Sequence, residues 1–557
     1  MGEYFDLGDY TRPVTTSSPT AQLWFDRGLV WAYAFNHDEA VACFERVIEA
    51  DPQCALGYWG LAYALGPNYN KPWEAFGQDE LASSVSRAFS AAQAATARAA
   101  TARAGSASPA ERALAGALAA RYPSAAPTAD CSPWNAGYAA AMREVYRSHP
   151  GDLDVAALLA DALMNLTPWA LWDQSTGQPA PGAATAEARA VLERALALPG
   201  GRTHPGILHM YIHLMEMSPT PEAALQAGDL LRDLVPDAGH LRHMPTHLDG
   251  LCGDYARVVS SNTAAIGVDE KFLARRGPMN FYTLYRAHDY HFKIYGAMFL
   301  GQAQVALDTA DQLAGAIPED LLRVEVPPMA DWLEGFVPMR MHVLVRFGRW
   351  ADIIAAPLPA DPDLYCVTTA MMRYAKGVAL AATGRVDEAD QERRRFAAAA
   401  ARVPASRMVF NNVCQDILQV AGAMLDGELE YRRGHYEAAF AALRRSVELD
   451  DGLPYDEPWG WMQPARHAYG ALLLEQDRVD EAEAVYRADL GLDGTLARAC
   501  QHPGNVWSLH GYHECLTRLG KQEQAGIIGQ QLTVAAARAD VPVTSSCFCR
   551  LATAACP

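Results

Sequence analysis

Small and aromatic side chains recur along this chain at intervals that predict packed helix pairs. In the first instance, Trp24 opens a segment in which Gly28 and Ala40 are twelve residues apart, Phe44 follows Ala40 by four, and Pro52 closes the pattern. Glycine and alanine let two helices cross closely, where larger side chains would hold them apart. Proline then ends the second helix. The pattern therefore predicts a helix–turn–helix unit.

The same twelve-residue step returns many times. It joins Gly377 to Ala389, Gly427 to Ala439, and Gly470 to Ala482. Further copies are marked by Trp507 with Gly511 and by the turns at Gly253, Gly301 and Gly348. We count at least nine such repeats over nearly the whole chain. Because no sustained alternation of apolar and polar residues predicts a strand, the chain is predicted to be all-α.

Three stretches depart from this pattern. Residues 86–128 are rich in alanine and predict helices with a break at Ser106–Pro109, residues 173–187 hold two glycines and two prolines and predict a surface loop, and Val541–Pro557 has no helical pattern. We therefore expect N-terminal repeats in residues 1–125, central repeats in 126–310, C-terminal repeats in 311–540 and a cysteine-containing tail in 541–557.

The repeat offsets resemble the tetratricopeptide repeat, a helix–turn–helix of about 34 residues. The resemblance covers most of the chain. It implies a right-handed superhelical α-solenoid of tetratricopeptide-like helix pairs, in which the first helix of each pair lines a concave groove. It also implies that the groove binds a peptide, as in most proteins of this kind.

Composition narrows the classes of partner. The chain has 46 basic and 65 acidic residues, a net charge of -19, which argues against binding to nucleic acid or to an anionic membrane surface. No apolar run is long enough to span a membrane, and the first residues lack the pattern of a secretory signal. The 11 cysteines are therefore interpreted as reduced thiols of a cytoplasmic protein.

Histidines cluster in the central part of the sequence. Of 16 histidines, eight lie within 88 residues, in three short segments. They are His204, His209, His213, His240, His243, His247, His288 and His291. Apart from His204, which precedes His209 by five residues, neighbouring histidines within a segment are three or four residues apart. Their side chains therefore share one face of a helix, and Glu216 extends the first row.

The repeat register gives the three rows a common direction. We assign each histidine a position in its repeat by counting back from the turn that follows it. By this count His209, His213 and Glu216 lie at first-helix positions that, as the resemblance implies, face the groove. The histidines of the other two rows fall at equivalent positions. Neutral imidazoles packed together each need a donor and an acceptor, and protonation would make them repel one another. A bound cation removes both difficulties, although histidines satisfied by their neighbours in a polar groove are the plainer alternative.

A transition metal is the cation that suits imidazole ligands. The predicted ligands are His209, His213, Glu216, His240, His243, His247, His288 and His291, with His204 and Asp289 in catalysis. Glu216 and Asp289 are alternatively partners that orient an imidazole. The small number of carboxylates among these predicted ligands favours copper as the metal, with zinc or iron as alternatives. Cys547 and Cys549 form a second candidate site for a soft metal. Alternatively, they belong to an ordinary unstructured tail that binds nothing.

A narrower resemblance concerns the histidine motif itself. The string His204-Pro205, His209, His213, Glu216, Ser218-Pro219, followed by Gly239-His240-Leu241, His243-Met244-Pro245 and His247, is similar to a set of bacterial repeat proteins with no assigned activity. The chain departs from that set in having Asp289 between His288 and His291.

The motif leaves three functions open. The first is a copper or iron enzyme that oxidises a small organic or peptide substrate with O2 in the groove. The second is a zinc-dependent hydrolase or lyase that uses the same histidines. The third is a non-catalytic scaffold that binds a peptide.

Overall fold

A computed structural model describes residues 4–100 and 107–550. The α-helices are α1 Pro19–Tyr33, α2 His37–Ala50, α3 Ala55–Ala64, α4 Gln78–Ala100, α5 Pro109–Arg121, α6 Ser132–Ser148, α7 Leu153–Met164, α8 Thr185–Leu196, α9 Pro205–Glu216, α10 Leu225–Leu231, α11 Gly239–His243, α12 Pro245–Leu251, α13 Tyr255–Arg276 and α14 Tyr282–Leu300. They continue with α15 Ala303–Ala316, α16 Glu319–Leu322, α17 Met329–Leu333, α18 Met339–Arg346, α19 Trp350–Ala355, α20 Cys366–Ala382, α21 Val386–Ala400, α22 Cys414–Arg432, α23 Tyr436–Asp451, α24 Ala465–Glu475, α25 Val479–Asp489, α26 Val506–Arg518 and α27 Gln522–Ala536.

Short elements complete the architecture. Single 3-10 turns lie at Trp73–Ala75, Gly201–Thr203, Pro221–Ala224, Glu334–Phe336 and Arg498–Cys500. Two antiparallel hairpins are formed by β1 Trp172–Asp173 with β2 Gln178–Pro179, and by β3 Met408–Val409 with β4 Asn412–Val413. The predicted surface loop at 173–187 therefore contains a small hairpin and the start of α8. The prediction of an all-α solenoid of helix pairs is confirmed.

The helices form two compact units. The first unit comprises Met1–Leu248 and Gly267–Tyr282, and the second comprises Asp249–Ile266 and Thr283–Pro557. In the first, α1 packs on α2, α2 on α3 and α7 on α8; in the second, α20 packs on α21, α22 on α23, α24 on α25 and α26 on α27. The division of the chain into four segments, which the sequence led us to expect, stays a prediction.

Close helix crossings explain the sequence pattern. A side chain at Gly28 would place its Cβ 2.9 Å from the ring of Phe44, and Gly60 approaches the same ring from α3. Phe44 is thus wedged between two glycines and is fully buried. In the second unit Tyr486 is held in the same way between Gly470 and Gly511. Consecutive helices therefore pack closely through the predicted contacts between small and aromatic residues.

The Ala-rich stretch forms α4 and α5, as predicted. Ser108 caps α5 with a reciprocal hydrogen-bond pair to Glu111, and Pro109 occupies its first turn. Of the break predicted at Ser106–Pro109, Ser106 lies outside the described residues and Pro109 begins α5. The turns predicted at Gly253, Gly301 and Gly348 are confirmed, since all three glycines adopt positive φ.

The tail packs on the second unit as far as residue 550. Ser546 contacts Tyr486 and donates a hydrogen bond of 2.8 Å to the carbonyl of His467. Cys547 and Cys549 form a disulfide, with their Cα atoms 5.2 Å apart. The expectation of reduced thiols is wrong for this pair, because residues two apart in this tight tail meet at bonding distance. While paired, they have no thiolate for a metal; Cys556 lies outside the described residues.

Candidate metal centre

Helix α9 carries the first two histidines of the candidate site. The helix begins after His204, whose Nδ1 accepts a hydrogen bond of 3.2 Å from the backbone N–H of Ile207. Gly206 lets the helix approach Tyr33 of α1 so closely that a Cβ there would be 2.6 Å from the tyrosine ring. His209 and His213 then follow on one face of α9, as the spacing predicts, and both are fully buried.

Hydrogen bonds fix the tautomers of these two imidazoles. Nδ1 of His209 donates to the carbonyl oxygen of Tyr33 at 2.6 Å, and Nδ1 of His213 donates to Oε1 of Glu216 at 2.8 Å. With its proton on Nδ1, each neutral ring keeps its lone pair on Nε2. Neither Nε2 atom has a hydrogen-bond partner among residues 4–100 and 107–550. Two fully buried lone pairs without partners are a costly arrangement unless something binds them.

His240, on α11, brings a third imidazole to the same place. One ligand atom from each of His209, His213 and His240 lies within 4.8 Å of the other two. The ring of His209 is 4.7 Å from that of His213 and 4.9 Å from that of His240. In a tetrahedral site with metal–nitrogen bonds of about 2.0–2.1 Å, nitrogens are roughly 3.4 Å apart. Small rotations of the side chains would suffice, so these three residues, called the histidine triad below, could hold a transition-metal ion.

Glu216 links the triad to two further histidines. Its Oε2 accepts a hydrogen bond of 2.6 Å from Nδ1 of His247, while its Oε1 accepts from His213. Nε2 of His247 is therefore an acceptor, and Nε2 of His243 donates to it at 2.7 Å. His213, Glu216 and His247 also form a group that could hold a metal. The hydrogen-bond distances favour the other predicted role, in which Glu216 orients both imidazoles.

The segment that carries His240, His243 and His247 departs from the expected single helix. It is divided into α11 and α12 at Met244, because Pro245 has no N–H to continue the hydrogen-bond ladder. The rings nevertheless stay together, with His243 4.8 Å from His247 and 6.1 Å from His240.

Aromatic side chains close the triad from one side, and sequence reasoning missed them. Phe35 lies 4.5 Å from the ring of His209 and stacks on His213 at 5.5 Å, and Tyr69 and Trp169 lie 5.0 and 6.1 Å from His213. Phe35 and Trp169 have φ of 55° and 59°, in the left-handed region that costs a non-glycine residue roughly 1–2 kcal/mol. Such strain is retained where the surroundings enforce it, often at a functional site.

Burial keeps the triad neutral. Desolvation, opposed in part by the hydrogen bond to Tyr33, lowers the pKa of His209 to about 3. Burial also lowers the pKa of His213 well below its ordinary value, and charge on His209 and His243 would lower it further. Near pH 7 both rings therefore offer a lone pair without first losing a proton, which is the state that metal binding requires.

His204 lies beside the triad, in a network of its own. Its Nε2 is 3.2 Å from Oδ1 of Asp154, which also accepts from the hydroxyls of Tyr10 and Tyr33 and, through Oδ2, from Arg12 at 2.5 Å. Burial alone would raise the pKa of Asp154, but His204 and Arg12 hold it well below its usual range. Both nitrogens of His204 are thus engaged in structure. Its catalytic role stays a prediction.

The third histidine row belongs to the second unit. His288, Asp289 and His291 lie on α14 and are buried. The ring of His288 is 4.7 Å from Phe410, and that of His291 is 5.2 Å from Phe336. That these three join the other histidines in one groove, with Asp289 in catalysis, stays a prediction.

Comparison with known proteins supports the presence of a tetratricopeptide repeat in this chain. The family model described as "Tetratricopeptide repeat" matches residues 21–54, which contain the first predicted repeat. A search of curated proteins finds no match.

Similar solved structures include the APC/C hetero-tetramer Cut9–Hcn1 (12% identity, 86% of this chain and 74% of the other, TM-score 0.29) and yeast Tom70 (11%, 92% and 99%, 0.25). A third is Naa15/Naa10 bound to HypK (12%, 93% and 70%, 0.21). At these scores the similarities carry no argument about this chain. No helix among the described residues is long and apolar enough to cross a membrane.

Proposed function

We propose that this tetratricopeptide-repeat protein binds a transition-metal ion on His209, His213 and His240. One observation carries the proposal: two fully buried imidazoles commit their Nδ1 hydrogens to fixed acceptors and leave both Nε2 lone pairs without partners in the described chain. Histidine ligands in proteins are commonly oriented in this way, by an acceptor on the nitrogen that does not bind the metal. His204, by contrast, uses both of its nitrogens in hydrogen bonds within the chain.

Copper is the proposed metal. The triad offers only nitrogen ligands, which suit copper and zinc, whereas non-haem iron sites usually recruit several carboxylates. Glu216 holds the Nδ1 hydrogens of His213 and His247 and places a negative charge next to the ion. Zinc and iron remain the alternatives that the test below separates.

We propose oxidation of a small organic or peptide substrate as the reaction. Bound copper would supply electron transfer between that substrate and O2. The chain's own contribution is to hold the three imidazoles in one tautomer and to cover them with Phe35, Tyr69 and Trp169, which exclude water. With zinc in the same triad the reaction would instead be hydrolysis or lyase chemistry. We place the protein in the cytoplasm and propose no nucleic-acid or membrane partner, in keeping with its net charge of -19.

A non-catalytic scaffold is the second candidate. The match to a tetratricopeptide repeat at residues 21–54 favours it, because such repeats typically bind peptides. A scaffold does not need a buried triad of neutral imidazoles, so metal binding separates the two candidates.

The test is spectroscopic and uses the full chain purified without a histidine tag. After separate reconstitution with copper, zinc and iron, the copper protein should give an EPR signal with nitrogen hyperfine splitting. That signal should be lost in His213→Ala and kept in His149→Ala, a half-buried histidine on the first unit. An EPR signal that is the same in His213→Ala would exclude the triad as the site. Tight binding of zinc with no copper signal would favour the hydrolase.

A further inference from the structure

The disulfide in the tail encloses a single residue. It joins Cys547 to Cys549, with Phe548 between them. A disulfide stabilises a fold mainly by restricting the unfolded chain, and the restriction is smallest for the shortest loops. The other eight cysteines among the described residues are free thiols, and seven of them are buried. The pair ties no distant segments together, so its function is not that of a structural staple.

The chain before the disulfide is fixed by contacts that do not involve sulfur. The hydroxyl of Ser546 donates to the carbonyl of His467 at 2.8 Å and lies 2.5 Å from the hydroxyl of Tyr486. The carbonyl of Ser546 accepts from Nη2 of Arg346, whose guanidinium lies 4.1 Å from the ring centre of Trp507. Ser546 is 1% exposed. Because none of these contacts uses a cysteine, they can persist when the disulfide opens.

The chain after the disulfide is anchored as well. Arg432, on α22, donates to the carbonyl of Cys549. Arg550 forms an ion pair with Glu514 of α26, with N–O distances of 2.6 and 2.9 Å. The side chain of Cys549 packs in a hydrophobic cluster of the second unit. Anchors on both sides therefore keep the two sulfurs adjacent after the S–S bond breaks, so the bond can form again without a large loss of chain entropy.

The surroundings of the pair favour a thiolate. The backbone N–H of Cys549 donates to Sγ of Cys547 at 3.2 Å. Hydrogen bonds to sulfur and neighbouring cationic groups stabilise the charged form of a cysteine, and Arg432 places its guanidinium beside the pair. Cys547 is half-buried, whereas Cys549 is 3% exposed. Cys547 is therefore the sulfur that an external thiol can reach, and it is also stabilised as a leaving thiolate.

We propose that Cys547 and Cys549 form a redox-active site that exchanges two electrons with an external dithiol. A thiolate of the dithiol attacks Sγ of Cys547, the S–S bond breaks, and Cys549 leaves as a thiolate that takes up a proton. The second thiolate of the donor then attacks the mixed disulfide, and Cys547 leaves as a thiolate. The donor departs as a disulfide, one of its two protons is on Cys549, and the other is released to water. The inference uses residues of the second unit alone and does not rest on the metal proposal.

The test uses the full-length protein in buffers with fixed ratios of reduced to oxidised dithiothreitol. After acid trapping and alkylation, trypsin releases the peptide Ala539–Arg550, which carries both cysteines, while Cys556 lies on the following peptide. Mass spectrometry should show two alkyl groups gained and lost together and reversibly, with unchanged circular dichroism of the intact protein. Cys252→Ser, which removes a half-buried free thiol of the same unit, should titrate like wild type.

Three results would overturn the proposal. The first is reduction of the pair only in denaturant, which would identify an inaccessible structural disulfide. The second is the dithiol at every ratio, and the third is a disulfide that joins the peptide 539–550 to the peptide of Cys556.

Single substitutions identify the sulfur that exchanges. With oxidised glutathione, Cys549→Ser should form a mixed disulfide at Cys547, whereas Cys547→Ser should stay unmodified because Cys549 is buried. No adduct on folded Cys549→Ser would overturn the proposed attack at Cys547. If Cys549→Ser fails to fold, the titration of wild type decides alone.

A synthetic peptide of residues 539–550 tests the anchors. Nothing holds its sulfurs together, so its equilibrium constant for disulfide closure against glutathione should be roughly tenfold or more below that of the folded protein. Equal constants would contradict the claim that the contacts of Ser546, Cys549 and Arg550 organise the site.

Discussion

Replacing Glu216 with glutamine should weaken metal binding without removing a ligand of the triad. The carboxylate accepts one N–H from His213 at 2.8 Å and one from His247 at 2.6 Å. An amide has a single acceptor oxygen, so its NH2 group must face one of these two N–H groups. In the metal-free protein the NH2 group can face His213, which can change tautomer without losing a hydrogen bond because its Nε2 has no partner among residues 4–100 and 107–550. In the metal-bound protein His213 must keep its proton on Nδ1, so the NH2 group faces His247, and His247 cannot change tautomer while its Nε2 accepts the N–H of His243.

The expected size of the effect follows from those two bonds. A hydrogen bond to a charged group contributes roughly 1.5–3 kcal/mol, and one of the two is lost when metal binds to Glu216→Gln. Since about 1.4 kcal/mol corresponds to a factor of ten, the metal Kd should rise by roughly 10–100-fold. This agrees with the usual cost of removing a group that orients a metal ligand.

Competition with a chelator of known affinity measures this change. Glu144→Gln, which alters an exposed glutamate of the same unit, should keep the wild-type Kd. A Kd within twofold of wild type for Glu216→Gln would refute the orienting role. A loss above roughly 1000-fold, with an altered EPR spectrum, would instead identify Glu216 as a ligand, since direct loss of a ligand exceeds the effect expected for an orienting group.

Three further predictions concern stability. Gly28→Ala should lower the free energy of unfolding by about 1–3 kcal/mol in urea titration, because its Cβ would be 2.9 Å from the ring of Phe44. Asp489→Asn should cost roughly 2–5 kcal/mol, because this buried carboxylate accepts four side-chain hydrogen bonds and an amide cannot. Acid should also remove the stability that two buried neutral histidines contribute. Burial lowers the pKa of His37 to about 3 and that of His467 to about 4, so below pH ~6.5 these two side chains bind protons in the unfolded chain and not in the folded chain. From pH 8 to pH 5 the difference in the free energy of unfolding between wild type and the double variant His37→Gln, His467→Gln should therefore shift by about 4 kcal/mol against wild type in urea unfolding.

Matched controls accompany these variants. Gly116→Ala, on an exposed face of α5 with no atom within 4 Å of the added Cβ, should be neutral or stabilising. Asp480→Asn, exposed at the start of α25, should cost well under about 1 kcal/mol. If Gly28→Ala behaves like Gly116→Ala, the close helix crossing is wrong. A stability difference between wild type and the double variant that is the same at pH 5 and pH 8 would contradict the burial of neutral His37 and His467.

The sequence predicts the helix pairs well because their packing is local. Gly28, Ala40 and Phe44 meet within one repeat, so fixed spacings record the contact, and the same rule finds Gly470 and Tyr486. The rows of histidines are also predictable, since a spacing of four residues places two side chains on one helix face whatever the tertiary structure.

The rest depends on contacts between distant segments. The acceptor for His209 is the carbonyl of Tyr33, 176 residues away, and no side-chain pattern records a backbone oxygen. The positive φ of Phe35 and Trp169 is imposed by packing and contradicts the ordinary preference of aromatic residues. Free thiols were predicted because the chain lacks the pattern of a secretory signal, and the disulfide between Cys547 and Cys549 contradicts that prediction.

Metal content tests the central claim most directly. Tag-free wild type and His213→Ala should be reconstituted with copper, passed through a desalting column and analysed for metal per chain by mass spectrometry. The histidine triad predicts that wild type holds one equivalent more than His213→Ala, while both proteins keep the same helical circular dichroism. Equal copper content in the two folded proteins would contradict it.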